Sequence, residues 1–399
     1  MRPGGERPDA PDDVLESPAV EAPDTGSELG DDGPDGAPRI LFTRRRIIGT
    51  LLFVASALAF LYFVLPKLLG LHETWDRIQH GNGWWFALAA VLEVCSFGGY
   101  VWLFRGVFVD EGLTMSAAPG GGASARIGWR ESYQITMAGL AATRLFAAAG
   151  AGGIALTAWA LRRAGMRRRT VACRLIAFTV ILYAVYMITL VIDGVGLYLG
   201  VIPGGGSFAI TMGPAIFGAV VIVLFLGLST LPRDIDRMVG RWTAGRHRAE
   251  RLAFRLAAAS ATAASGVRTA IDLVRSRNLS LLGAIAWWGF DIAVLWACFH
   301  AFGAAPPKGV IVMSYFLGML GNTLPLPGGI GGVDGGMIGA FVAFGVDAEL
   351  SVIAVLSYRA FAFWLPTLPG AVAYLQLRRT VQRWRSESPG VLRGASDPV

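Results

Sequence analysis

The sequence predicts an all-α polytopic membrane protein with about six transmembrane helices and two re-entrant hairpins made of broken helices. Of the 399 residues, 54% are hydrophobic and only 16% are charged, whereas soluble domains carry about 25% charged residues. Long apolar runs alternate with arginine-rich segments, and two further apolar segments are interrupted by glycine and proline. One globular core cannot hide so much apolar surface, so lipid must form part of the solvent.

Six apolar runs are long enough to cross the hydrocarbon core as helices, which takes about 20 residues at 1.5 Å per residue. The second run opens with Trp84 and Trp85, a pairing typical of the membrane interface. The predicted spans are residues 47–69, 84–108, 171–193, 208–231, 279–302 and 350–376.

Two other apolar segments, residues 134–161 and 309–346, are broken in the middle. The first contains a run of glycine and alanine at 149–153, and the second contains two prolines and five glycines within 321–334. Every backbone polar group at membrane depth needs a partner, and proline removes a donor, so neither segment is predicted as a continuous helix.

The distribution of basic residues predicts the topology. If both broken segments enter and leave on the same side, both chain ends share one side, which collects 30 of the 35 basic residues. The positive-inside rule makes that side cytoplasmic. We therefore expect a multi-pass protein of a bacterial plasma membrane with cytoplasmic N- and C-termini.

Charge also divides the chain. Residues 1–38 hold eleven acidic and two arginine residues with many prolines and glycines, so we predict a disordered acidic tail. Residues 39–380 form the predicted membrane domain, followed by a polar tail at 381–399. Within that domain, residues 232–278 contain ten arginines, which predicts either an amphipathic helix on the inner anionic leaflet or a solvated basic loop. Anionic lipid, not nucleic acid, is the expected partner.

The spans and broken segments also form a repeat. The order span, hairpin, span occurs at 84–193 and again at 279–376, and Gly165 corresponds to Gly345 at an offset of 180 residues. The first unit starts outside and the second inside, so the repeats are inverted. Inverted repeats with broken helices at matching places are typical of transporters with a site near the membrane midplane.

The break at 321–334 is the strongest site candidate. It predicts two half-helices, about 309–322 and 333–346, and the N-terminus of the second presents N–H groups to which a phosphate oxygen can bind. The alternative is a tight turn that only lets helices pack closely. Asp334 is either a helix cap or a carboxylate for gating or proton coupling, and Asn322 is either a cap or a headgroup donor.

Arg359 lies inside an apolar span, where a charge costs about 3 kcal/mol or more. Its guanidinium group suits a phosphate, with five donors in a planar fork. The alternative is a structural ion pair with Asp334 or Asp291. Glu93 and Asp291 occupy the matching first spans of the two repeats, and we expect them to be paired inside the bundle.

These motifs resemble those of the lysylphosphatidylglycerol synthase transmembrane-region family, also called flippase-like membrane proteins. The resemblance rests on the Pro-x-Pro-Gly-Gly-x-Gly break, an acidic residue after it, a Tyr-Arg pair and a later Trp-x-Pro, over residues of about 45–380. The family usually has Glu at the position of Asp334. The first hairpin departs from the family's Asn-x-x-x-Pro pattern, and Arg144 is expected to compensate. The matching residues are Pro325, Pro327, Gly328, Gly329, Gly331, Asp334, Tyr358, Arg359, Trp364 and Pro366.

The resemblance implies movement of an anionic phospholipid or a polyprenyl-linked lipid between leaflets. About 20 residues follow Arg378, so the aminoacyl-transferase domain of two-part family members is expected to be absent, and no enzymatic activity is predicted. The expected structural breaks are Pro325 and Pro327. The expected headgroup contacts are Arg359, Tyr358, Asn322, Gly328, Gly329, Gly331, Asp334 and Arg144.

Two other functions stay open at this point. One is an accessory scaffold for enzymes of cell-envelope synthesis, since small-residue faces pack on partner helices. The other is a membrane transferase, whose acids would come from Asp234, Asp236, Glu250 and Asp272. The three cysteines and four histidines are scattered, so no metal and no cofactor is predicted. Because no nucleotide-binding motif is present, transport is expected to be gradient-driven or passive.

Overall fold

A computed structural model of the chain describes residues 81–109, 127–145, 151–230, 247–323, 329 and 331–386. The predicted acidic tail, the first predicted span at 47–69, the break residues Pro325, Pro327 and Gly328, and the C-terminal tail beyond residue 386 lie outside the described residues. All described residues belong to one compact unit, Ile40–Val399. They contain helices and no β-strand, which confirms the predicted all-α fold.

The described helices follow the predicted order of spans and broken segments. A 3-10 turn at Leu279–Leu281 precedes α7, another at Leu320–Thr323 follows α8, and a π-helical turn at Ala360–Trp364 joins α10 to α11. The helices are α1 (Gly83–Phe108), α2 (Trp129–Leu145), α3 (Ala151–Arg163), α4 (Arg168–Tyr198), α5 (Phe208–Ser229), α6 (His247–Arg275), α7 (Leu282–Ala301), α8 (Lys308–Met319), α9 (Gly332–Ala343), α10 (Ala348–Arg359) and α11 (Leu365–Ser386).

Five helical stretches in the described part of the chain are long and apolar enough to cross a membrane. Four of them coincide with predicted spans: α1, α4, α5, and α7 with its preceding turn. The fifth, Ala348–Trp384, is 37 residues long and therefore extends beyond the predicted span at 350–376. It includes α10, the π-helical turn and most of α11.

The first helices of the two repeats, α1 and α7, pack side by side in opposite directions. Near one end, the N–H of Asn82 donates to the carbonyl of Ala301 at 2.9 Å. Near the other end, a Cβ at Gly106 would lie within 1.7 Å of the Ser280 hydroxyl. Gly99 keeps the helices close in between, since a Cβ there would lie 2.7 Å from the Ala286 Cβ. This antiparallel pairing agrees with an inverted repeat.

The second half-helices of the two repeats, α3 and α9, end in the same glycine cap. Gly165 and Gly345 have φ values of 105° and 82°, a left-handed conformation that glycine adopts without steric cost. After each glycine, the next N–H reaches back over the last turn, from Met166 to the Leu161 carbonyl at 3.1 Å and from Val346 to the Phe341 carbonyl at 3.0 Å. The predicted correspondence of these glycines therefore extends to their hydrogen bonds.

Both broken segments fold into hairpins. In the second, Gly321 lies against the backbone of Gly332, where a Cβ would come within 2.3 Å of the Gly332 carbonyl carbon. In the first, a Cβ at Gly153 would meet the Gly139 carbonyl at 2.5 Å. With 12 residues each, α8 and α9 rise only about 18 Å, less than the roughly 30 Å of a hydrocarbon core. Each half-helix is therefore too short to cross the core alone, which agrees with the predicted re-entrant hairpin.

The last helix, α11, packs against the hairpin of the other repeat. Gly370 lies beside α2, where a Cβ would come within 2.7 Å of the Ala141 Cβ. Thr380 donates to the Gln134 side-chain carbonyl at 2.9 Å. The second repeat thus closes onto the first at two places, through α7 with α1 and through α11 with α2.

The described residues of the basic segment include the helix α6, His247–Arg275, and the second half of this helix is packed against the bundle. Ala264, Val267, Ala270 and Leu273 are buried, and a Cβ at Gly266 would meet Ile176 of α4 at 2.4 Å. The arginine side chains predicted to face the anionic leaflet, at 233–255, lie outside the described side chains.

Candidate functional site

The ion pair between Asp334 and Arg359 joins the start of α9 to the end of α10. Asp334 Oδ1 lies 2.6 Å from Arg359 Nε, and the two side chains are 1% and 8% exposed. Asp334 Oδ2 also accepts the N–H of Gly331 at 3.0 Å. The sequence left capping, gating and pairing open for these residues, and the structure shows that Asp334 both caps its helix and pairs with Arg359.

The glycines of the break provide backbone conformations that other residues avoid. Gly329 and Gly331 have φ values of 66° and 83°, in the left-handed region. Gly329 also makes room for Asn322, because a Cβ there would lie 2.5 Å from the Asn322 side-chain oxygen. Asn322 is exposed, and its amide nitrogen lies 3.4 Å from the Met319 sulfur. The headgroup contacts predicted for Asn322, Gly329 and Gly331 stay predictions.

Asp291 of α7 is the acceptor for two tyrosines. Tyr358 of α10 donates to Asp291 Oδ2 at 3.0 Å, and Tyr315 of α8 donates to the same oxygen. All three residues are buried. The Tyr358 hydroxyl, predicted to contact a headgroup, is therefore committed to Asp291 in this structure.

Glu93 of α1 faces Asp291 across the antiparallel helix pair. The two residues are 3% and 7% exposed, and their side chains lie near each other. Within the described part of the chain, Glu93 Oε2 and Asp291 Oδ1 have no hydrogen-bond partner. The matching positions of these acids in the two repeats thus correspond to neighbouring positions in the bundle.

Arg144, at the end of α2, reaches across to the π-helical turn. Its two terminal nitrogens donate to the carbonyls of Ala362 at 2.9 Å and Phe363 at 3.2 Å. In a regular helix the Ala362 carbonyl would accept from residue 366, but Pro366 has no N–H. Arg144 therefore supplies a donor that the helix itself lacks, and its predicted headgroup contact is a further role that stays a prediction.

Arg144 and Arg359 both lie against the ring of Phe363. Phe363 lies 4.6 Å from the Arg359 guanidinium carbon and 5.5 Å from that of Arg144, measured to the ring centroid. Arg144 also interacts electrostatically with Glu93, Asp291 and Arg359. We call the connected charged side chains the central charged cluster: Glu93, Arg144, Asp291, Asp334 and Arg359.

The cluster draws on both repeats, because α1 and α2 belong to the first and α7, α9 and α10 to the second. An isolated charge inside a bilayer is costly, so intramembrane charges are paired or face a cavity. Here three acids lie beside two arginines, and the tyrosines supply further donors. The cluster can therefore accept a new anion if that anion replaces an existing carboxylate partner.

Sequence reasoning missed Tyr315, Phe363 and the π-helical turn. Tyr315 stands in an apolar half-helix, and nothing in its spacing indicates that its hydroxyl meets Asp291. The π-helical turn did carry a signal, because Pro366 and Pro369 sit inside a predicted span and each must leave a carbonyl without its helical donor.

The sequence of the chain is similar to those of known membrane proteins. A family model described as the lysylphosphatidylglycerol synthase TM region matches residues 46–370. No solved structure matches the chain.

Three proteins of Methanothermobacter thermautotrophicus, each named UPF0104 membrane protein, are also similar. Two are 32% identical over 109 and 115 residues, and a third is 29% identical over 165 residues. The matches cover 27%, 27% and 39% of this chain and 31%, 34% and 48% of those proteins, so they span at most about half of the relatives' length. The relatives are archaeal, and the bacterial origin expected from the sequence stays a prediction.

Proposed function

Because the chain belongs to the lysylphosphatidylglycerol synthase transmembrane-region family, we propose that it moves an anionic phospholipid or a polyprenyl-linked phosphate lipid between leaflets. The observation that carries this proposal is the buried pair of Asp334 and Arg359 at the break of a re-entrant hairpin. A charged pair at this depth is costly to maintain. The cost is understandable if Arg359 must be kept ready for an anion.

The proposed binding step is an exchange of partners. In the structure the Asp334 carboxylate neutralises Arg359. A phosphodiester presents oxygens with similar geometry and charge, and the guanidinium fork binds carboxylate and phosphate alike. The headgroup replaces the carboxylate, so Arg359 never becomes an uncompensated buried charge.

The start of α9 supports the same anion. This half-helix carries a partial positive charge at its N-terminus, and Asp334 now compensates it through the Gly331 N–H at 3.0 Å. When a phosphate approaches Arg359, both the arginine and this helix end favour the incoming charge.

The acyl chains have an apolar route beside the cluster. Leu365 and Leu368, which follow the π-helical turn on α11, are 49% and 71% exposed. A headgroup at Arg359 can therefore remain attached to chains that stay in lipid. In the proposed orientation, the arginine-rich segments at 162–169 and 232–278 face the cytoplasm, in line with the positive-inside rule.

The proposal is tested with the full chain in liposomes that contain labelled phosphatidylglycerol in one leaflet. The protein should equilibrate the label between leaflets, and Arg359→Ala should slow this by at least about tenfold, since a charge-assisted hydrogen bond is worth about 1.5–3 kcal/mol. Arg105→Ala is the matched control, because Arg105 stacks on Trp129 at the end of α1, outside the cluster. Rates equal to those of empty vesicles, with phosphatidylglycerol and with a polyprenyl phosphate, would contradict the proposal.

A further inference from the structure

We propose that Glu93 and Asp291 form a proton-binding site that takes up one proton when an anionic phosphodiester headgroup pairs with Arg359. This inference rests on the proposed lipid function and names the ion that is coupled to it. The coupling ion follows from the contact between the two acids and from the charge of the cluster around them.

Two neighbouring buried acids with unpartnered oxygens favour a proton between them. Glu93 and Asp291 lie near each other on antiparallel helices and are 3% and 7% exposed. Two ionised carboxylates are acceptors only, whereas a protonated carboxyl group can donate. Glu93 Oε2 and Asp291 Oδ1 receive no hydrogen bond from any other described residue. A proton on either acid supplies the missing donor.

Titratable and charged side chains from several helices surround Glu93 and Asp291. Tyr315 and Tyr358 donate to Asp291, and Arg144 interacts electrostatically with both acids. The thiol of Cys298 and the Tyr358 hydroxyl also interact with Glu93. The rings of Tyr186 and Tyr183 of α4 pack against Trp288, with 5.6 and 6.4 Å between ring centroids.

The charge of the cluster fixes how many protons are bound. With every group ionised, the three carboxylates and two guanidinium groups of the central charged cluster leave one net negative charge. One proton shared by Glu93 and Asp291 makes the cluster neutral, which a low-dielectric interior favours strongly.

An arriving phosphodiester changes that balance. It carries one negative charge, and a proton on the second acid of the pair returns the cluster to neutrality. The proton comes from water and goes to a carboxylate oxygen, and no other bond forms or breaks. Each anionic lipid should thus bind together with one additional proton, so that a transmembrane proton gradient can drive the lipid.

The experiment uses the purified full chain in weakly buffered detergent with a pH-sensitive dye. Titration with short-chain phosphatidylglycerol should cause uptake of about one proton per lipid bound. At pH values where the lipid-free protein does not hold the second proton, the affinity for this lipid should therefore fall about tenfold per pH unit. Short-chain phosphatidylcholine, which brings its own positive charge, should cause no uptake. Phosphatidylglycerol binding without proton uptake would overturn the proposal and leave the proposed lipid function standing.

The double variant E93Q/D291N identifies the site of uptake. It should bind phosphatidylglycerol without taking up a proton and with an affinity that no longer depends on pH. D193N is the matched control, because Asp193 is a buried acid of α4 outside the cluster, and it should behave as the wild type. Uptake that persists in the double variant would contradict the assignment.

A second measurement decides the question if no anionic lipid binds at all. Infrared spectra of the lipid-free wild-type protein should show the carbonyl band of a protonated carboxylic acid, and E93Q should shift or remove it. A spectrum without such a band would refute the shared proton. Its presence together with absent lipid binding would support the proton site while contradicting the proposed function.

Discussion

Asp334 binds Arg359 Nε at 2.6 Å with one oxygen while its other oxygen accepts the N–H of Gly331 at 3.0 Å. The residue that neutralises the arginine therefore also fixes the first turn of α9. We therefore expect an anion that displaces this carboxylate from Arg359 to act on the position of the half-helix as well, because one side chain holds both contacts.

Removing one member of this pair should be more harmful than removing both. Arg359→Leu leaves a buried carboxylate without its partner, which costs about 3–5 kcal/mol. The double variant R359L/D334N removes both charges and should recover part of that loss. Denaturant unfolding of the detergent-solubilised protein measures the difference. Equal instability of the single and double variants would show that the two charges are not energetically coupled.

Part of the stability that is lost without Arg144 should be recovered by substituting Pro366 on α11. Arg144→Ala leaves the Ala362 carbonyl without a donor, at about 1–3 kcal/mol for a buried unsatisfied group, whereas the Phe363 carbonyl still accepts from the Thr367 hydroxyl at 2.7 Å. Pro366→Ala restores the N–H that a helix offers to the Ala362 carbonyl. The double variant R144A/P366A should therefore unfold at a higher temperature than R144A. A double variant no more stable than R144A would argue against this account of Arg144.

The two glycines of the break should differ in how they respond to alanine. Both have positive φ, so each substitution carries about 1–2 kcal/mol of backbone strain. Gly331→Ala meets open space, whereas the Cβ of Gly329→Ala would lie 2.5 Å from the Asn322 side-chain oxygen. G329A should thus be the less stable variant in thermal unfolding, and adding Asn322→Ala should rescue it but not G331A. If N322A helps both variants equally, the close contact is not the cause.

The two tyrosines that donate to Asp291 should act together. Tyr315→Phe and Tyr358→Phe each remove one donor from the same oxygen, at about 0.5–1.5 kcal/mol each. The double variant removes both and should lose more stability than the two single losses combined, because a buried oxygen without any donor costs more than a weakened network. A double-mutant cycle by denaturant unfolding measures this coupling. Strict additivity would contradict it.

Much of the architecture could be predicted because it depends on local sequence. Apolar runs predicted the spans at α1, α4, α5 and α7, and the glycines and prolines near 321–334 predicted the half-helices α8 and α9. The glycine correspondence between Gly165 and Gly345 predicted a repeat, since a left-handed cap is a strictly local requirement. These features need no knowledge of which helices meet.

The partners inside the cluster depend on how helices face one another, which spacing does not encode. Arg359 could be matched with Asp334 or Asp291 from sequence, because a charge in lipid needs a counter-charge. Nothing in the sequence showed that Tyr358 donates to Asp291 or that Arg144 crosses to Ala362. Both contacts join helices from distant parts of the chain, at separations of 67 and 218 residues.

The π-helical turn at Ala360–Trp364 amounts to one residue inserted into an otherwise continuous helix. Its hydrogen bonds run from residue i to i+5, as from the Leu365 N–H to the Ala360 carbonyl, so the wider turn takes up the extra residue locally. Upstream, Tyr358 and Arg359 point to their own repeat, and downstream Gly370 fits against Ala141 of the other. We therefore expect deletion of one residue between 360 and 364 to turn this widened turn into regular α-helix while Arg359 and Gly370 keep their separate partners.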